Sequence, residues 1–166
     1  MSLIFKRKSV RKYRDERVPD ELIENLLKAA MQAPSAYNAQ PWEFIVVSKK
    51  EDKEAISKMH KFATPAREAS HLIITLGNLN ESKVHGMIEQ DLGACNENIL
   101  LQATHEGLGA VWLGFHPIED RTLRLKEYLN IPDYCIPFSV ICVGYPAVES
   151  QVCLRYDKSK VHFDRF

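Results

Sequence analysis

The chain has 166 residues, of which 45% are hydrophobic and 27% charged, and its 22 basic and 22 acidic side chains cancel. That length carries one ordinary domain, expected over 1–166, with a core of its own, and the composition excludes a disordered, collagenous or low-complexity chain. Zero net charge argues against a protein that coats nucleic acid or an anionic membrane, and no apolar run exceeds four residues, so none spans a bilayer.

The first segment, to about Asp15, is basic and short of helix signals. Its apolar and basic parts stand in the wrong order for a signal peptide, so a cytoplasmic protein is expected. A helix follows. Pro19 suits a first turn, Asp20 and Glu21 complement the positive end of the dipole, and Leu22, Ile23, Leu26, Leu27, Ala30 and Met31 share a face. Pro34 stops it. The stretch from Ala33 to Pro41 is small, polar and punctuated by proline, hence a loop. Trp42–Val47 reads as a strand, about Lys50 to Lys61 as a charged helix, and Leu72–Leu76 as a second strand.

The longest helix is expected from about Val84 to His105, where Ile88, Leu92, Cys95, Ile99 and Ala103 keep a 3.6-residue period. Gly107 ends it. Ala110–Leu113 is a third strand, Glu119–Leu129 a short helix, and Phe138–Val143 a fourth strand. The tail from Leu154 to Phe166 mixes basic and aromatic residues without a helical period. Helices and strands intermix without a strict βαβ rhythm, so the fold class is α+β.

No standard nucleophile, phosphate-loop or metal motif is present. The six histidines are scattered, and Cys95, Cys135, Cys142 and Cys153 form neither a CxxC pair nor a disulfide framework. They read as reduced and mostly buried. Two stretches carry more chemistry. In an extended Arg7–Arg11 segment, alternation puts Arg7, Ser9 and Arg11 on one side. Two guanidinium forks and a hydroxyl suit a phosphate. A solvated basic arm and a nucleic-acid arm are the alternatives. The loop from Pro34 to Trp42 sets Ser35, Asn38 and Gln40 in a stiff backbone. It is either a plain helix-to-strand connection or a set of donors and acceptors for the edge of a heterocyclic ring.

Five segments, in order along the chain, resemble the motifs of the nitroreductase family of flavoproteins. They are Arg7-Lys8-Ser9-Val10-Arg11, the loop from Ala33 to Trp42, the helix from Asp91 to Leu101, the strand from Gly107 to Gly114, and Arg155-Tyr156-Asp157 with Lys160-Val161-His162. The resemblance implies a homodimer with FMN at the subunit interface, a mixed or antiparallel central sheet flanked by helices, and a C-terminal tail embracing the partner. It places Arg7, Lys8 and Ser9 at the FMN phosphate and Arg11 at the pyrimidine edge of the ring. Pro34, Ser35, Ala36 and Asn38 of the other subunit line the ring, Leu113 and Gly114 pass beside flavin N5, and Arg155 closes on the phosphate. Hydride moves through the flavin, which accounts for the lack of a catalytic side chain.

The implied activity is reduction of nitroaromatics, quinones or similar acceptors by NADH or NADPH with ping-pong kinetics. Reductive dehalogenation, flavin destruction, and FMN carriage or sensing without turnover are the alternatives on the same scaffold. A basic-arm binding module without flavin is another. Three departures stand out. Phe62-Ala63-Thr64-Pro65 replaces a stretch where many members carry an asparagine and a lysine near the ring, with Arg67 as a substitute. Cys153 stands where the tail often has a lysine. The connection from Gly77 to Val84 is short, which predicts an open site.

Overall fold

The computed structural model describes residues 2–148, 151 and 153–166. A four-residue helix α1 (Leu3–Lys6) opens the chain, where the sequence offers no helix signal; it holds no buried residue and ends as Arg7 turns extended. Next come α2 (Asp20–Ala30), a 3-10 turn at Ala36–Asn38, strand β1 (Trp42–Val47) and α3 (Lys50–Ser57). Strand β2 (His71–Asn78), the long helix α4 (Ile88–His105), β3 (Gly109–Gly114), α5 (Glu119–Leu129) and β4 (Cys135–Gly144) complete the frame. The strands pair antiparallel throughout, in the order β1-β2-β4-β3.

Two cores lie on the two faces of this sheet, and the strand alternation assigns residues to them. Leu72, Ile74, Val140 and Cys142 face one side with Ile56 of α3 and Leu125 of α5. Ile73, Ile141 and Val143 face the other with Ile23 and Leu26 of α2 and Leu92, Cys95 and Ile99 of α4. The sheet is thus the middle of three layers, and the expected stripe on α4 is the one that packs. Cys95, Cys135 and Cys142 are buried and free, Cys153 is exposed and free, and burial pushes the Cys95 thiol up to about 12. Among the described residues no helix is long and apolar enough to cross a membrane.

One polar chain crosses the sheet–helix interface. The Thr75 hydroxyl donates to Asn96 Oδ1 at 2.7 Å, and Asn96 Nδ2 donates to Ser139 Oγ at 2.7 Å, all three side chains being fully buried. Buried groups of this kind are tolerated only when paired. They fix α4 over the middle of β2 and β4.

Several boundaries differ from the expectation. Helix α3 ends at Ser57 rather than Lys61, and α4 starts at Ile88, after a 3-10 turn at His85–Met87, rather than at Val84. Strand β4 begins at Cys135, ahead of Phe138, and contains Pro137. A proline lacks the ladder donor. Here β3 has already ended, at Gly114 opposite Ser139, and the β2 register shifts between Thr75 and Leu76, so Pro137 sits where one neighbour is absent and the other is irregular.

Candidate functional site

The basic segment is pinned along the edge of β3. The Val10 N–H donates to the Ala110 carbonyl at 2.9 Å, and Ser9 forms an isolated parallel bridge with Ala110. A Cβ on Gly109 would stand 2.7 Å from Val10 Cβ, so only glycine admits this approach. Tyr13 repeats the arrangement on β4. Its hydroxyl lies 2.6 Å from the Val10 carbonyl and 3.2 Å from that of Cys142, and a Cβ on Gly144 would meet its ring at 2.8 Å. Burial, with Cys142 beside it, holds the Tyr13 phenol well above its usual range, so it stays a donor.

With Val10 and Tyr13 turned inward, Ser9 and Arg11 face out and are exposed, and Lys8 is half-buried. Arg11 Nη1 lies 3.4 Å from the Ser9 carbonyl. Arg7 turns onto α4, where its Nε pairs with Glu97 at 3.3 Å and its side chain is 19% exposed. That contact uses Nε and leaves the two terminal nitrogens of the fork for a ligand.

The second motif is held by α4 as well, at another place. Asp91, buried, accepts the Ala36 N–H at 2.9 Å, and Ser35 Oγ accepts the Gln40 N–H at 2.9 Å. Between them Tyr37, Asn38 and Gln40 take left-handed backbone (φ 55°, 52° and 51°). Such residues cost on the order of 1 kcal/mol each outside glycine, so the loop is a forced shape held by its pins. It displays Tyr37 and Asn38 to solvent, with Pro34 exposed and Ser35 and Ala36 half-buried. Asp91 and Glu97 are about 9 Å apart along the helix and roughly 120° apart around it. The loop and Arg7 therefore approach α4 from different sides and do not share one face of it. Arg155 lies in the tail, where every described residue from 151 to 166 is exposed, Leu154, Tyr156, Phe163 and Phe166 among them.

The third element is the end of β3. Residues of an edge strand alternate between those whose N–H and C=O face the partner and those that face away. Val10 takes the outward carbonyl of Ala110, and Arg121 Nη1 donates to the outward carbonyl of Gly114 at 3.0 Å. Both fix the same parity, so the N–H groups of Ala110, Trp112 and Gly114 face away from β4. Leu113 is buried in the core, whereas Gly114 is exposed and a Cβ there would meet nothing within 4 Å. The result is an outward amide on an exposed residue with open space over its Cα, roughly 13 Å along the strand from the pinned Ser9–Val10 segment.

His60 packs against the residue that follows Gly114. Its ring packs edge-on to Phe115 at 5.1 Å and its Nδ1 lies 3.3 Å from the Phe62 N–H, while Phe62 itself is 61% exposed. Burial first, and the Arg121 charge second, push its pKa below the ordinary 6.5, so the ring is neutral at neutral pH. Arg67, the substitute considered from the sequence, lies elsewhere: it lines a cleft of about 550 Å³ with Tyr13–Arg17 and Lys53, and Gly114 is not part of it. Asp91, Glu97, His60 and Arg121 are missed by the sequence reading. A lone acid, histidine or arginine carries no periodic signal that separates it from a solvated one.

The family model for the nitroreductase family matches residues 4–76 and 78–145. A protein of Methanothermobacter thermautotrophicus, provisionally named NADH dehydrogenase/NAD(P)H nitroreductase, is 40% identical over 166 residues, covering 100% of this chain and 87% of its own. The crystal structure of a provisionally named NADH oxidase from Clostridium acetobutylicum superposes with a TM-score of 0.97 at 44% identity, over 99% of this chain and 100% of that one. An FMN-dependent nitroreductase from Clostridium difficile superposes at 0.93 with 28% identity, over 99% of each chain.

Proposed function

The chain belongs to the nitroreductase family, and from that premise we propose that it is an FMN-dependent oxidoreductase that accepts hydride from NADH or NADPH and delivers it to a nitroaromatic, a quinone or a similar acceptor. The observation that carries this reading is the open edge of β3. One end of it holds Ser9 and Arg11 outward with Arg7 near, and the other offers the outward amide of Gly114, an exposed residue with open space over its Cα.

These residues fit FMN. Arg7, Lys8 and Ser9 would hold the phosphate, and a charge-assisted contact of this kind is worth roughly 1.5–3 kcal/mol. Arg11 would neutralise charge at the pyrimidine edge, and the Gly114 N–H, beside Leu113, would donate to N5. When bound, FMN supplies hydride transfer, and the protein orients it and tunes its charge.

A second copy of the chain completes the site in this reading. Pro34, Ser35, Ala36 and Asn38 lie on a different side of α4 from Arg7 within one subunit, so they would line the ring bound to a partner. The exposed apolar tail would embrace that partner and bring Arg155 to the phosphate. We read 1–166 as one FMN-binding domain and place it in the cytoplasm, in keeping with four free cysteines. Donor and acceptor would use the same open face in turn, which gives ping-pong kinetics.

The test is the absorbance spectrum of the purified protein after FMN is added and the excess removed, then again after NADH is added without oxygen. A retained flavin band that bleaches is expected. A protein that retains no band overturns the site, and a band that neither NADH nor NADPH bleaches overturns the activity in favour of an FMN carrier.

A further inference from the structure

We propose that Arg121 is a positioning residue of the flavin site, which holds the last peptide of β3 so that the Gly114 amide is aimed outward, and whose charge favours the reduced form of the bound ring. This rests on the FMN reading above.

Strand β3 ends at this point. The N–H groups of Phe115 and His116 both turn to the Phe138 carbonyl, at 3.3 and 3.0 Å. The Gly114 carbonyl faces away from the sheet and takes no ladder bond, so its peptide is tied to β4 on one side alone, through the Phe115 N–H, and a strand end held on one side frays readily. Arg121 supplies the second anchor from the first turn of α5, at 3.0 Å. That turn is itself fixed, since the Thr122 hydroxyl donates to the Glu119 carbonyl at 2.9 Å.

The charge of Arg121 is not spent on a neighbour. Glu119 and Asp120 flank it in sequence, yet Asp120 pairs with Arg124 at 3.0 Å. Among the described residues Arg121 has no carboxylate within 4 Å. The same charge, after burial, helps to push the His60 pKa below the ordinary 6.5, which disfavours a second cation at this corner. One guanidinium without an ion-pair partner among the described residues therefore stands behind the peptide whose neighbour would meet the ring. A ring that has accepted hydride carries added negative charge, and a fixed cation nearby binds that form more tightly than the oxidised one.

The experiment measures the dissociation constants of oxidised and reduced FMN, and the midpoint potential of the bound pair, on the full chain and on Arg121→Met, Arg121→Gln and Arg121→Lys. In Arg121→Met the hold on reduced FMN should weaken about tenfold more than the hold on oxidised FMN, which for a two-electron couple lowers the potential by about 30 mV. Arg121→Gln keeps a donor without the charge and should show the same fall in potential with a smaller loss of oxidised FMN. Arg121→Lys keeps the charge and should stay near the parent potential.

A merely structural role moves both constants together and leaves the potential where it was. That result in Arg121→Met and Arg121→Gln, in protein whose parent retains FMN and bleaches with NADH, overturns the role of Arg121 alone. Should the methionine variant fail to fold, the glutamine and lysine pair decides by the same criterion. A parent chain that retains no FMN sinks the underlying reading, and this one with it.

Discussion

Arg7 and Arg155 stand near opposite ends of the chain with the same expected partner, yet Arg7 is four-fifths buried against Glu97 while Arg155 lies in a stretch where every described residue is exposed. The segment around Arg7 is bound by backbone to β3 and by Tyr13 to β4, and two glycines, Gly109 and Gly144, exist to let it lie there. The tail has Leu154, Tyr156, Phe163 and Phe166 turned to solvent. In the proposed site, then, one subunit would build the Arg7 half of the phosphate contact in advance, while the Arg155 half would be ordered by association, and that ordering would subtract from what its contact contributes.

The largest effect should come from filling the space that admits the N-terminal segment. Gly109→Ala drives a Cβ into Val10, and overpacking of that kind costs about 1–3 kcal/mol. The thermal midpoint should fall by several degrees, and FMN retention should be lost with it, both read on one preparation. An unchanged midpoint would show that the segment is not clamped after all, and the comparison would break.

Arg7→Ala should come next. It removes a contact of roughly 1.5–3 kcal/mol, a tenfold to hundredfold weaker FMN complex by fluorescence titration, with little change in the unfolding midpoint. Arg155→Ala should be milder, about 1 kcal/mol or fivefold, because the tail is ordered at the moment it makes the contact. If Arg155→Ala weakens FMN more than Arg7→Ala does, the assignment of prebuilt and delivered halves is reversed.

The smallest effect is on pH, and it sharpens the picture of the clamped body. His71 is buried, its Nδ1 lies 3.0 Å from Ser70 Oγ and its Nε2 3.5 Å from Asp20, while Ser70 Oγ accepts the Val18 N–H that leads into α2. Burial first, then Arg17, hold its pKa below the ordinary 6.5. The folded chain thus binds fewer protons than the unfolded one just below pH 6.5, so this stability is complete above that pH and falls as pH drops through it. Urea midpoints at pH 7.5 and 5.5 should differ more for the parent than for His71→Asn.

The layers were legible in the sequence because burial imposes period: Ile88, Leu92, Cys95, Ile99 and Ala103 mark the packed face of α4 whatever surrounds it. The boundaries were less so. Pro137 made β4 look shorter than it is, since a proline argues against a central strand until one knows that β3 has stopped two residues earlier. The site was legible as motifs and illegible as supports. Asp91, Glu97 and Arg121 act through partners 55, 90 and 7 residues away in sequence, and no local rule links an acid in a helix to the one amide or guanidinium it will hold. The left-handed backbone at Tyr37, Asn38 and Gln40 was hidden for a related reason. Tyrosine and glutamine do not choose that conformation; the pins at Asp91 and Ser35 impose it.

The bare end of β3 has a consequence for how the protein keeps as a solution. A strand edge with outward amides is a template on which a strand from another molecule can add. Val10 blocks that edge at Ala110, and Arg121 occupies one carbonyl at Gly114, but the amides of Trp112 and Gly114 lie between. In the proposed complex FMN would do more than chemistry: it would shield the edge, so that the loaded protein should resist edge-to-edge aggregation better than the same chain stripped of it.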